Sequence, residues 1–266
     1  MNIFFRELKA NYKFLLVWAL ALALLNFFMM YVYPSFAADV EALEKLVEMY
    51  PEGLLKVFGL DRISLVDPLG FYATEAYFMI ILFGSIFAAI LGSTLLAKEE
   101  DEKTIEFLLA RPVTRTQVLT NKILAYLVYL LLFNLIIGLV TYGAFEIFDV
   151  GTYSRSVLAY LLAAPFFAHF TFASLGFLSS LFFSRRKSAS SAGIGFVLTL
   201  YFFDALASFS KEAEFLRYLS PFYYMNAAEI LLDGRIDPLN ALILLAISAA
   251  ALGFTHQLYS RRDILI

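Results

Sequence analysis

Six stretches of the sequence are each apolar for long enough to cross a bilayer as a helix, which takes about 20 residues. They run over Phe14–Val32, Ala73–Ala97, Ile123–Phe145, Val157–Phe183, Ala189–Ser208 and Leu239–Tyr259. Charges or helix-breaking residues bound them, as with Pro34 after the first and Lys98-Glu99-Glu100 after the second. In hydrocarbon every backbone N–H and C=O must find its partner within the protein, so such runs become helices. Composition agrees. Charged residues make up 16% of the chain and hydrophobic ones 61%, where a soluble domain carries about 25% charged. The expected architecture is an all-α integral membrane protein with six transmembrane helices in a single permeating domain, residues 1–266.

The same inventory excludes several chemistries. There is no cysteine, hence no disulfide or thiolate site, and His169 and His256 are too few for a histidine metal centre. A net charge of −3 gives no electrostatic footprint for nucleic acid. The first apolar run, with Arg6, Lys9 and Lys13 before it and Ser35-Phe36-Ala37 after it, has some features of a signal peptide. Its 19 residues exceed the roughly 7–15 of such a segment, and it is read as a span.

Even-numbered crossing places both termini on one side. If that side is the cytoplasm, the internal segments hold 13 of the 20 basic residues, with Arg185-Arg186-Lys187 as the densest anchor. This is the asymmetry of the positive-inside rule, so both ends are expected in the cytoplasm. Residues 1–13 pattern as an amphipathic segment, with Phe4, Phe5, Leu8 and Tyr12 opposing Arg6, Lys9 and Lys13. They read as an interfacial elbow helix lying along the inner leaflet or as a basic flank. Apolar residues at helical spacing between Tyr33 and Tyr72 predict two short amphipathic helices on the outer face. The segment Phe209–Pro238 is too apolar for a loop and is broken by Pro221 and Gly234, which predicts short re-entrant helices before the last span.

Between the second and third windows lies a charged segment. Lys98-Glu99-Glu100-Asp101-Glu102-Lys103 leads into Thr104-Ile105-Glu106-Phe107-Leu108-Leu109-Ala110, and Arg111-Pro112-Val113-Thr114-Arg115 follows. Ile105, Leu108 and Leu109 share one helical side, and Pro112 ends that helix. Thr114 and Gln117 have the spacing of a capping box that starts a new one. The residues by themselves fit either a plain amphipathic connector or a rigid docking element.

This segment resembles the motif of type-two ABC transporter permeases, the drug and antibiotic exporter-like family. There an acidic pair precedes a Gly-Thr-Leu-Glu-Leu-Leu-like helix and a Pro-Val-Ser-Arg-like turn. Pro51-Glu52-Gly53-Leu54-Leu55-Lys56-Val57-Phe58-Gly59 and Leu219-Ser220-Pro221-Phe222-Tyr223-Tyr224 resemble other stretches of the same family, and the six-span layout covers the chain. Lys103 departs from the pattern, since the family often has glycine there. The resemblance implies that this loop carries a coupling helix, with Glu99, Glu100, Glu106, Arg111 and Arg115 at or toward a separate ATP-binding subunit. It also implies export, a homodimer or heterodimer of permeases, a plasma (inner) membrane location, and ATP and magnesium held by the partner subunit. No Gly-x4-Gly-Lys-Ser/Thr phosphate loop occurs on this chain.

Small residues recur four apart in the second window, as Gly84, Ala88, Gly92 and as Ser85, Ala89, Ser93. The fifth window opens with Ala189/Gly193 and Ser191/Gly195. Such ladders let helices approach closely. They fit static packing, or a dimer axis and substrate path as the family resemblance implies. His169, within the fourth window, reads as a hydrogen-bonded helix contact, as do Asn26 and Asn134. Asp204 and Glu75 lie near outer ends of their spans. Two other classes compete: a membrane-embedded enzyme of the intramembrane-protease kind, in which Ser85, Ser93 or Ser174 would need His169 as base, and a passive channel or scaffold.

Overall fold

A computed structural model describes residues 3–102 and 113–261. These residues form helices and turns, with six helices long and apolar enough to cross a membrane. Helix α1 spans Ile3–Ala37. The short helices α2 (Val40–Glu48), α3 (Glu52–Phe58) and α4 (Pro68–Phe71) follow it. A π-helical turn at Tyr72–Ala76 runs into α5, Tyr77–Asp101. Next come α6 (Arg115–Ile147), α7 (Arg155–Ser179), which ends in a 3-10 turn over Ser180–Phe182, and α8 (Arg186–Phe209). A 3-10 segment, Lys211–Leu219, precedes α9 (Pro221–Tyr224), α10 (Ala227–Asp233) and α11 (Pro238–Arg261).

Helix α5 is the most thoroughly buried span and packs chiefly against α7 and α8, while α1 lies along α6 and α11 along α7. The small-residue ladders explain this arrangement. A Cβ placed on Gly92 would stand 2.1 Å from the carbonyl oxygen of Ala173, and one on Gly176 would stand 2.7 Å from that of Ala89. Helices α5 and α7 therefore meet backbone to backbone, at a separation only hydrogen side chains allow. Gly193 brings α8 onto the same stretch of α5, where an added Cβ would stand 3.2 Å from the Ala89 carbonyl oxygen. Across the bundle a run of rings ties four spans together. Phe87 stacks on Phe14 at 5.1 Å and on Phe133 at 4.4 Å, and Phe133 meets the edge of His169 at 5.7 Å.

The amino-terminal segment differs from the elbow expected of residues 1–13. Helix α1 continues unbroken from Ile3 and turns Glu7 and Asn11 into the protein. The reason is electrostatic. Glu7 is the acid in an otherwise basic flank, and its ion pairs hold the first two turns against the bundle rather than along a headgroup layer.

The segment before the last span does contain short helices. At seven residues α10 is about 10 Å long, a third of the hydrocarbon thickness of about 30 Å, so it cannot cross. Gly59, which ends α3, takes the left-handed conformation (φ 71°) and lets its amide reach back to the carbonyls of Leu55 and Lys56. Tyr77 donates to the carbonyl of Met225 at 2.6 Å, which fastens the end of α9 to α5, and Arg62 in the loop after α3 pairs with Glu229 of α10.

Candidate functional site at the roots of segment 103–112

The start of α1 and the end of α11 lie on one face of the bundle, because the start of α6 touches both of them there, through Lys122 to Glu7 and through Arg115 to Tyr259. Segment 103–112 leaves α5 and re-enters α6 on this same face. Glu106 and Arg111 lie in it, outside the described residues, and so does the helix expected over it. Its two roots are described.

Lys122, in the second turn of α6, is fully buried. Its ammonium donates to Glu7 Oε1 at 2.9 Å, Glu99 Oε1 at 2.9 Å and the Leu95 carbonyl at 2.7 Å. An ammonium has three protons, and all three are used. Glu7 takes a further ion pair from Lys98, and Glu99 takes one from Arg6. Three cations and two carboxylates from α1, α5 and α6 thus form one network, with Glu7 and Lys122 at its centre. Isolated charges would be prohibitive at such burial, and each is tolerable here because it is paired and hydrogen-bonded. Tyr129 of α6 reinforces the join by donating to the backbone carbonyl of Leu8.

Further ties spread from the roots. Asp101, the last residue of α5, accepts from the backbone N–H of Arg186 at 3.3 Å and so caps the start of α8. Arg115, the first residue of α6, donates to the carbonyls of Tyr259 (3.0 Å) and Ser260 (3.2 Å), two of the unpaired acceptors ending α11. The capping box opens α6. Gln117 N–H donates to Thr114 Oγ1 at 3.2 Å, and Thr114 N–H donates to Gln117 Oε1 at 2.9 Å. Replacing Thr114 by Ala is expected to cost about 1 kcal/mol at this helix start. Hydrogen exchange in detergent checks it: the Gln117 amide should exchange faster, and an unchanged rate would mean the cap holds nothing.

The structure separates the predicted contact residues. Glu99 is buried inside the network, and the sequence gave no sign of which of the neighbouring carboxylates, Glu99 or Glu100, turns inward. Glu100 is half-buried and Arg115 serves α11. Of the ladder residues, Gly84, Ser85, Ala88, Ala89, Gly92, Ser93 and Gly193 are all buried within the one chain, as the static-packing reading expects. The close α5–α7 and α5–α8 crossings consume them. Gly195 is different: it is exposed, with nothing within 4 Å of an added Cβ.

His169 bridges three spans. Nδ1 lies 3.1 Å from Asn134 Oδ1 on α6 and Nε2 lies 3.2 Å from the Ile80 carbonyl on α5, over Gly84. Both ring nitrogens are thereby engaged away from Ser85, Ser93 and Ser174, and Ser174 itself meets Tyr126 at 3.2 Å. Asn26 departs from its expected role: its amide donates to Leu22 of its own helix at 2.9 Å. Glu7 and Lys122, the centre of the network, were not singled out in the sequence. Their signals were a single acid in a basic flank and a single cation inside a long apolar helix.

A family model described as "ABC-2 family transporter protein" matches residues 1–264. The chain belongs to this ABC-2 transporter family. It is thus a multi-pass membrane permease, the transport subunit of an ABC transporter, and membership in the family implies an ATP-binding partner. No curated protein matches the chain.

Proposed function

We propose that this ABC-2 permease exports its substrate with ATP hydrolysed by a separate subunit, and that the partner docks on segment 103–112. The face carrying both termini is then cytoplasmic in the plasma membrane. Two permeases, identical or related, work with two ATPase subunits, which hold the ATP and magnesium. The observation that carries the reading is the bracing of both roots of the segment. Glu7, Glu99 and Lys122 tie them to α1, Asp101 ties one to α8, and Arg115 ties the other to α11. A partner that closes on ATP must push against something stiff, and force applied between these anchors reaches α1, α8 and α11 through direct contacts. The enzyme reading receives no such support, because His169 is held by Asn134 and Ile80.

Glu100, Glu106, Arg111 and Arg115 remain the proposed contacts or orienting groups on this side, and Gly195 on the exposed face of α8 is the proposed point of approach for a second permease. Co-purification with the ATP-binding subunit encoded beside this gene tests the docking. Arg111→Glu should weaken the complex by roughly 30-fold or more, the effect of setting like charge against an interfacial partner. It should also abolish the change in ATPase rate that the permease causes. A complex that is indifferent to Arg111→Glu would move the docking site elsewhere, and the absence of any complex would remove the coupling reading.

A further inference from the structure

On the face opposite the termini, a cavity of about 80 Å³ opens between α5, α8 and the short helices α9 and α10. That is room for about five to eight water-sized groups. Most of its polar lining is already committed. Tyr77 donates to the Met225 carbonyl (2.6 Å), Thr74 to Gly70 (3.0 Å) and Ser208 to the Asp204 backbone carbonyl (3.3 Å). The Asn226 side chain caps α10 through Ala228 at 2.9 Å and Glu229 at 3.3 Å. The exceptions include the hydroxyl of Tyr201 and the carboxylate of Asp204, which is half-buried; neither has a hydrogen bond or ion pair among the described residues. Arg217 is close enough for its field to reach Asp204. Its guanidinium, however, is bonded to Glu214 at 3.3 Å and lies 4.5 Å over the Tyr223 ring.

An aromatic stripe runs along the rest of the wall, set among aliphatic residues such as Ile63, Ile81, Leu82 and Met225. Phe58 meets Phe78 at 5.6 Å, Phe78 meets Tyr201 at 5.7 Å, and Tyr201 meets Phe222 edge-on at 5.9 Å. A half-buried carboxylate that faces a cavity near the end of a span calls for a cation. A ring-lined wall selects one that sheds its water readily and is attracted to π-faces, which favours an organic ammonium over an alkali-metal ion.

We propose that this cavity is a binding site for a small alkylammonium group, with Asp204 as its counter-ion and Phe78, Tyr201 and Phe222 as its aromatic wall. The group belongs either to a free amine or to the headgroup of a choline or ethanolamine lipid. The site lies apart from segment 103–112, and its occupancy does not depend on which partner docks there.

The test is equilibrium binding of radiolabelled tetramethylammonium to the purified permease without any partner, in nanodiscs of phosphatidylglycerol and in nanodiscs of phosphatidylcholine. Saturable binding that sodium and potassium chloride do not displace is the expected result. Asp204→Asn should weaken it by at least about tenfold, while Asp204→Glu retains it. Equal binding in both discs assigns the site to a free amine, and binding confined to phosphatidylglycerol discs assigns it to the lipid headgroup. If Asp204→Asn fails to fold, the wild-type protein still decides. Modification of Asp204 by a hydrophobic carbodiimide, followed by mass spectrometry, should be blocked by tetramethylammonium in phosphatidylglycerol discs. No saturable binding and no protection would overturn the proposal.

Discussion

Replacing Lys122 by Met should destabilise the folded protein by about 3–5 kcal/mol, although the side chain hardly changes in volume. The loss follows from what remains. Glu7 would keep its ion pairs with Lys98 and, at 3.7 Å, with Arg6, and Glu99 would keep Arg6, but both carboxylates would lose the buried ammonium that lies between them. Removing one member of a buried pair is costly because it leaves its charge uncompensated, whereas removing the whole set is far cheaper. A variant that neutralises the whole set, Arg6→Gln, Glu7→Gln, Lys98→Met, Glu99→Gln and Lys122→Met, should therefore recover much of what Lys122→Met alone loses. Thermal unfolding of the detergent-purified proteins measures both. A Lys122→Met protein with an unchanged midpoint would show that water reaches the network and that it does not brace the roots.

Gly92→Leu should prevent the bundle from assembling. The first added atom already meets the Ala173 carbonyl oxygen at 2.1 Å, where ordinary contact begins near 3.4 Å, and the listener on the other side is backbone, which cannot rotate away. Overpacking a core usually costs about 1–3 kcal/mol, and more when the obstacle is rigid. Here α7 would have to leave α5, and Gly176 and Gly193 would lose their contacts on the same stretch. Gly253→Leu is the matched control, on the exposed face of α11 with open space where its side chain would go. Fluorescence-detected size-exclusion chromatography of the two variants separates the cases. Gly92→Leu should give no monodisperse peak, and Gly253→Leu should give a normal one. A well-behaved Gly92→Leu protein would mean that the two helices do not cross at this separation.

Much of this architecture was legible in the chain because lipid imposes so simple a rule on it. A helix that crosses hydrocarbon must be long and apolar, so the spans showed as windows, and Thr114 with Gln117 showed where α6 begins. Local rules reached no further. The amphipathic pattern of residues 1–13 suits an interfacial helix equally well, and only the distant cations Lys98 and Lys122 decide that Glu7 turns inward. The ladders revealed that α5 packs closely with something. They could not say whether the neighbour was α7 of the same chain or another copy, because a glycine carries no record of what approaches it. Gly176, which completes the crossing, has no ladder of its own. Asp204 could be placed near a span end, but the cavity beside it is assembled from α5, α8 and two short helices far apart in sequence.

The network at the roots also dictates an order of events during synthesis. Glu7 is made first, yet its partners Lys98 and Lys122 lie 91 and 115 residues further along the chain. At roughly 5–20 residues per second, the acid waits on the order of ten seconds for them. Its place in the second turn of α1 makes the delay harmless, since there it can rest among lipid headgroups while the rest of α1 is already inserted. Only when α6 enters the membrane can the start of α1 be drawn in, so the first helix to be translated is the last to be locked at this end.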